Sequence, residues 1–157
     1  GSDPVNLTRV LKTARWPVWS PDGLQLAFVS DSILYVVGSD GRGLTRIIDP
    51  KELPVDRLFV GWPDWSPDGG RIAFRSDRGV TSGEIFVMNA SNGSGQTNIT
   101  NNNWADFDPS WSPDGTRIAF QALSLSGQDV YIMSADGTGQ TNITQQSAAD
   151  GLPDWGP

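Results

Sequence analysis

Cysteine and histidine are both absent from the 157 residues. Without cysteine there is neither a disulfide nor a thiolate metal ligand. Without histidine, the commonest general base and the commonest metal ligand are missing at once. Together these absences exclude Ser/His/Asp and Cys/His nucleophilic catalysis. No apolar run approaches the length of a membrane-spanning helix, so no membrane insertion is expected. The first residues carry no signal-peptide pattern, and residues 1–4 read as a cloning remnant. Positive charge is scarce: 11 Lys+Arg against 18 Asp+Glu leave a net charge of -7. That balance argues against nucleic acid and anionic membranes and fits a basic partner better. No stretch has helical period, whereas 18 Gly and 11 Pro punctuate short apolar runs, so the class is all-β.

What the chain does have is a sentence written three times. Trp-Ser-Pro-Asp-Gly stands at Trp19 to Gly23, Trp65 to Gly69 and Trp111 to Gly115. Each copy is followed by an apolar triplet: Leu26-Ala27-Phe28, Ile72-Ala73-Phe74 and Ile118-Ala119-Phe120. An internal repeat of this kind decides architecture before any other signal. Proline presets φ for a turn, aspartate bonds back to nearby amides, and glycine supplies the positive φ that reverses the chain. The triplet lacks alternation, so its strand is expected to be buried on both faces. The motif tryptophans Trp19, Trp65, Trp111 and Trp155 are expected to pack in the core, and Ser20, Ser66 and Ser112 to stabilise their turns.

Each repeat reads as four antiparallel strands. Strand a enters the turn, strand b is the triplet, and strand c is Leu34 to Val37, Ile85 to Met88 or Val130 to Met133. Turns at Asp40-Gly41, Asn92-Gly93 and Asp136-Gly137 lead into strand d, marked by Leu-Thr or Ile-Thr at 44–45, 99–100 and 143–144. Four strands per repeat make a propeller blade. The expected organisation is a single unit over 1–157. It comprises an orphan strand d at 5–11, blades at 15–48, 61–100 and 107–144, and an orphan strand a at 151–157. Aligning Leu44-Thr45 with the later Ile-Thr pairs puts a nine-residue insertion near Asp49 to Arg57. The b–c and d–a connections vary in length, and their face is where function is expected.

The run Pro-x-Trp-Ser-Pro-Asp-Gly-x-x-Ile-Ala-Phe, with its strand c and the Asp-Gly and Leu-Thr signals, resembles the TolB-like, WD-repeat-like bacterial β-propeller repeat. The resemblance implies a periplasmic or extracellular setting and a non-enzymatic role in binding a protein or peptide. It equally covers sensor propellers and the accessory propellers of larger proteases. Roughly six blades are expected in such a ring. Three blades do not close one, so the chain is expected either to be a segment of a longer protein or to complete its ring by self-association as a homo-oligomer. A fragment whose main property is that ring assembly is the alternative.

Candidate site residues cluster before strand a. Asp106 and Asp108, and Asp64 and Asp154, are acid pairs of the kind used in acid/base work or calcium binding. No Asp-x-Asp-x-Asp-Gly spacing is present, so no cofactor is expected, calcium being the one ion these acids would suit. Trp16 and Trp62 stand three residues before their motif Trp, where Asp108 and Leu152 stand in the other copies. With Trp104 and Phe107 they are candidates for stacking on a ligand at the inner rim, Trp104 foremost, the alternative for Trp16 and Trp62 being to fill the core around the channel. Arg15, Arg57, Asp77 and Arg78 could add charge to that rim. The Asn-x-Thr triplets at Asn6, Asn98 and Asn142 are by-products of the repeat.

Overall fold

The computed structural model describes residues 6–9, 11–48, 59–78, 82–125, 127–144 and 150–155, and among them there are strands and no helix. The first sheet contains β1 (Arg15–Trp19), β2 (Gln25–Ser30), β3 (Ile33–Gly38) and β4 (Thr45–Ile48). The second contains β5 (Val60–Trp65), β6 (Arg71–Ser76), β7 (Glu84–Asn89) and β8 (Thr97–Asn98). The third contains β9 (Ala105–Trp111), β10 (Arg117–Ser124), β11 (Gly127–Ser134) and β12 (Thr141–Asn142). Strands pair antiparallel in chain order within every sheet, giving the three four-stranded blades that the repeat predicts.

The repeated pentapeptide builds the same polar knot each time. The hydroxyls of Ser20, Ser66 and Ser112 donate to Asp22, Asp68 and Asp114 and accept the amides of Gln25, Arg71 and Arg117. The same carboxylate oxygen also accepts a backbone amide, as Asp114 Oδ1 does from Thr116 at 2.9 Å. Bonds to the charged form hold Asp114 down to about 2, and Asp22 and Asp68 are lowered by the same cause. Glycine closes the knot at positive φ, 70° at Gly23 and Gly69 and 69° at Gly115.

Burial follows from stacking blade on blade. Phe28, Phe74 and Phe120 are fully buried and pair across the sheet with Tyr35, Phe86 and Tyr131. One core joins the first and second blades, centred on Val36, Trp65, Phe74 and Met88. A second joins blades two and three, centred on Ile85, Trp111, Phe120 and Met133. Each motif tryptophan packs towards the blade before it. Trp65 and Trp111 are therefore 6% and 5% exposed, whereas Trp19 is 51% exposed, which corrects the expectation of core packing for Trp19. The β7–β8 and β11–β12 turns face the preceding blade too, and the β3–β4 turn faces Leu7. The turn glycines of blades two and three sit against the carbonyls of Ile47 and Ile99, so close that a Cβ on Gly93 or Gly137 would fall on those oxygens.

The register corrects the alignment of the first blade. Val36 pairs with Thr45 as Val87 pairs with Thr97 and Ile132 with Thr141. Thr45 is thus equivalent to Thr97, and Ile48, not Thr45, matches Thr100 and Thr144. Ile48 precedes Trp65 by 17 residues where Thr100 precedes Trp111 by 11, so the longer connection has six extra residues, not nine. Residues 49–58 of that connection, Arg57 included, lie outside the described residues.

Both ends also differ from expectation. Asn6 to Arg9 form a turn in which Asn6 Oδ1 accepts the Thr8 amide, not a strand. The same asparagine-to-threonine bond recurs from Asn98 to Thr100 and from Asn142 to Thr144, giving the Asn-x-Thr triplets a structural task at the end of strand d. Gly151–Trp155 has no ladder of its own, yet it sits on the third blade, where Trp155 Nε1 donates to the Ser110 carbonyl at 3.0 Å.

Candidate functional site

Strands β1, β5 and β9 lie side by side, and each carries a break in its pairing with strand b. At the break stands a residue of left-handed conformation followed by proline: Trp16 (φ 52°), Trp62 (φ 49°) and Asp108 (φ 48°). Leu152, before Pro153, repeats it at φ 55°. Left-handed backbone costs a non-glycine residue about 1 kcal/mol or more. The following proline has no amide to lose from the ladder, so the bulge sacrifices no further bond. Such a bulge re-aims one side chain per strand. The three breaks and the Leu152-Pro153 step line a groove of about 360 Å³ whose walls are Trp16, Trp62, Leu152 and the prolines, with Asp64, Asp108 and Asp154 among them.

Beside the groove lies an aromatic box with a cation in it. Trp16 and Trp62 are 4.8 Å apart, and Phe59 meets both. Phe107 meets Trp62 edge-on at 6.0 Å. The Arg75 guanidinium lies 4.6 Å from the Phe59 ring and 4.8 Å from Phe107, cation over π-face. Burial lowers the Arg75 pKa, opposed by the charges of Asp77, Asp106 and Asp108. Asp77 accepts the Phe59 amide, which ties the box to the β6 end.

The acids divide by environment. Asp64 Oδ2 accepts the Trp111 amide at 2.7 Å, and burial nevertheless pushes it up to about 6. Burial also raises Asp108. Asp106 is wholly buried under Asn102, beside Glu84, and is pushed up to about 7, by burial first. Glu84, itself fully buried, accepts the Thr100 hydroxyl at 2.6 Å. The third blade repeats that clip with Asp129 and Thr144, whereas the first has Ile33 and Ile48 at the same two positions. The first blade thus fills the two clip positions with apolar side chains. Glu84→Ala is expected to cost about 1–3 kcal/mol by orphaning its partners. The double change Glu84→Ile with Thr100→Ile, which restores the first blade's residues, should cost less in urea unfolding than Glu84→Ala alone, and an equal or larger loss would show that the Ile85 and Asn102 amides need the polar pair.

Of the residues singled out from sequence, Trp16, Trp62, Asp64 and Asp108 line the groove, and Phe107 belongs to the box. Arg15 is exposed beside a second cavity with Trp16 and Phe59. Trp104 lies elsewhere, 5.6 Å from Tyr131 against the core of blades two and three. Arg78 covers the Phe86 ring at 4.5 Å and donates to Gln96, and Asp106 is closed off from solvent. Sequence reading missed Arg75, Phe59 and Glu84. Arg75 did leave a signal, a charge directly after Ile-Ala-Phe where the other blades have Val29 and Gln121. No group of three or more acidic residues able to hold a metal ion occurs among the described residues.

No protein-family model matches this chain, and no curated protein does. Solved structures do match. A TolB from Agrobacterium tumefaciens is 26% identical with a TM-score of 0.74, over 87% of this chain and 50% of that one. TolB from Acinetobacter baumannii is 21% identical with a TM-score of 0.57, over 87% and 31%. Dipeptidyl peptidase 4 from Porphyromonas gingivalis is 12% identical with a TM-score of 0.64, over 87% and 26%. The chain thus has a TolB-like propeller fold and spans half or less of the structures it matches.

Proposed function

We propose that this chain is a non-catalytic propeller scaffold that binds a protein or peptide segment in the groove of β1, β5 and β9 and completes its ring by self-association. One observation carries the reading. The fold holds the same left-handed residue before proline at four places, three of them bulges, while the side chain presented there changes from Trp to Trp to Asp to Leu. A position kept for packing alone would keep its side chain; here the backbone repeats and the chemistry varies. The groove pairs indole faces with Asp64, Asp108 and Asp154, which suits an extended segment carrying apolar and basic side chains. The likeness to TolB supports such a role and a periplasmic or extracellular setting.

Peptides selected from a random display library on the whole chain test this. Basic, aromatic-rich sequences are expected. Their affinity, read by fluorescence anisotropy, should fall at least tenfold for Asp108→Asn combined with Leu152→Ser, both at the groove surface. Selection of acidic peptides, or affinity unchanged by the double variant, would overturn the groove as the binding site. A second reading, an accessory propeller of a larger peptidase, is favoured by the likeness to dipeptidyl peptidase 4; it predicts a hydrolase domain encoded beside this segment.

A further inference from the structure

The two outer blade faces are each covered by a piece of the repeat pattern borrowed from the chain's own ends. On the first blade, Leu7 and Leu11 lie over Phe28, Tyr35 and Val37. Asn6 to Thr8 there stands where a preceding blade would place Asn98 to Thr100. On the third blade, Trp155 bonds the Ser110 carbonyl and lies under Arg117, whose guanidinium is 5.0 Å from its ring. This copies the second interface, where Arg71 covers Trp111 at 4.4 Å.

Neither cover fits as the true neighbour does at the two internal junctions. Ile99 is 8% exposed beneath the third blade, while its counterpart Ile143 is 53% exposed. Gly93 and Gly137 press on a backbone carbonyl, whereas Gly41 meets only Leu7 Cδ2, at 3.4 Å from where its Cβ would be. A cavity of about 580 Å³ remains there between Asn6, Leu7, Arg9 and the Asp40 to Leu44 turn. Gly69 and Gly115 sit against Pro21 and Pro67 of the blade before, and Gly23 has nothing within 4 Å.

We infer that the outer face of the third blade is a docking site for the first blade of a second copy, by exchange of the two covers. The second copy's Arg15–Trp19 replaces Gly151–Trp155, so that its Trp19 lies between the Ser110 carbonyl and Arg117. In return Asn142 to Thr144 replaces the second copy's Asn6 to Thr8 over its Gly41. The exchange recreates the arginine-over-tryptophan and glycine-on-carbonyl contacts of the internal junctions and buries Trp19 and Ile143, which are left half exposed. Contacts of this kind are head-to-tail, and they close into a ring when the rotation permits. The inference rests on the self-association reading and names its surface.

Light scattering and native mass spectrometry on the full chain and three point variants test it. Trp155→Ala loosens one cover and is expected to strengthen self-association at least tenfold. Trp19→Ala, at an exposed position, and Gly41→Ala, open in the free chain but facing a carbonyl in the docked one, are each expected to weaken it at least tenfold, alone and with Trp155→Ala. If the parent associates and Trp19→Ala and Gly41→Ala leave its mass unchanged, the exchange is wrong and self-association stands. A monomer in every variant, Trp155→Ala included, overturns both.

Discussion

Asp106→Asn is expected to raise stability at pH 8 by about 2–3 kcal/mol and to remove most of the dependence on pH between 5 and 8. The carboxyl is fully buried, and its folded pKa is pushed up to about 7 from an ordinary 3.8. The folded state therefore binds more protons than the unfolded one between about pH 4 and 7, so stability falls as pH rises through that window. The wild-type protein should be more resistant to urea at pH 5 than at pH 8, with Asp64, raised to about 6, adding in the same direction. Asparagine keeps an oxygen and an amide in place of the carboxylate and abolishes its desolvation cost, which is the larger cause of the shift. Urea midpoints for parent and variant at both pH values decide the matter. A parent that weakens on going from pH 8 to 5, or a variant with the parent's full slope, would place the titrating group elsewhere.

Three glycine-to-alanine changes at equivalent turns should have unequal costs. Gly93→Ala and Gly137→Ala are expected to destabilise by about 3 kcal/mol, and Gly41→Ala by about 1 kcal/mol. All three have positive φ, 70°, 89° and 80°, so the backbone penalty is shared. The difference lies across the junction: the first two face the carbonyls of Ile47 and Ile99, the third only a leucine methyl. Backbone cannot yield as a side-chain end can, so the blades must separate or the turn must rebuild. Equal midpoints for the three variants in urea unfolding would show that the turn does not clamp one blade to the next.

How far the sequence could be read depended on whether a feature repeats. Ser20, Ser66 and Ser112 do, and their reading as turn hydroxyls is matched bond for bond. Trp16, Trp62 and Asp108 were legible as rim candidates because a fixed offset from the motif Trp located them. The bulge beneath them was not legible, since a left-handed tryptophan before proline leaves no compositional trace. Trp104 lies outside the repeating positions, and its packing on Tyr131 depends on a strand 27 residues away. Leu44-Thr45 misled because two Leu/Ile-Thr pairs of similar appearance occupy different registers, and only the ladder distinguishes Thr45 from Thr100.

By itself, then, the sequence determined the blades: strand order, turn chemistry and the buried triplets, all set within some forty neighbouring residues and written three times over. The tertiary structure alone decided what lies between the blades. It put Asp106 beside Glu84, drew Arg75 into a box of rings from three strands, and left one motif tryptophan exposed while burying two identical ones. The reason is physical. A turn is closed by its own residues, whereas the burial of Trp19, Trp65 or Trp111 depends on whether another blade stands before it.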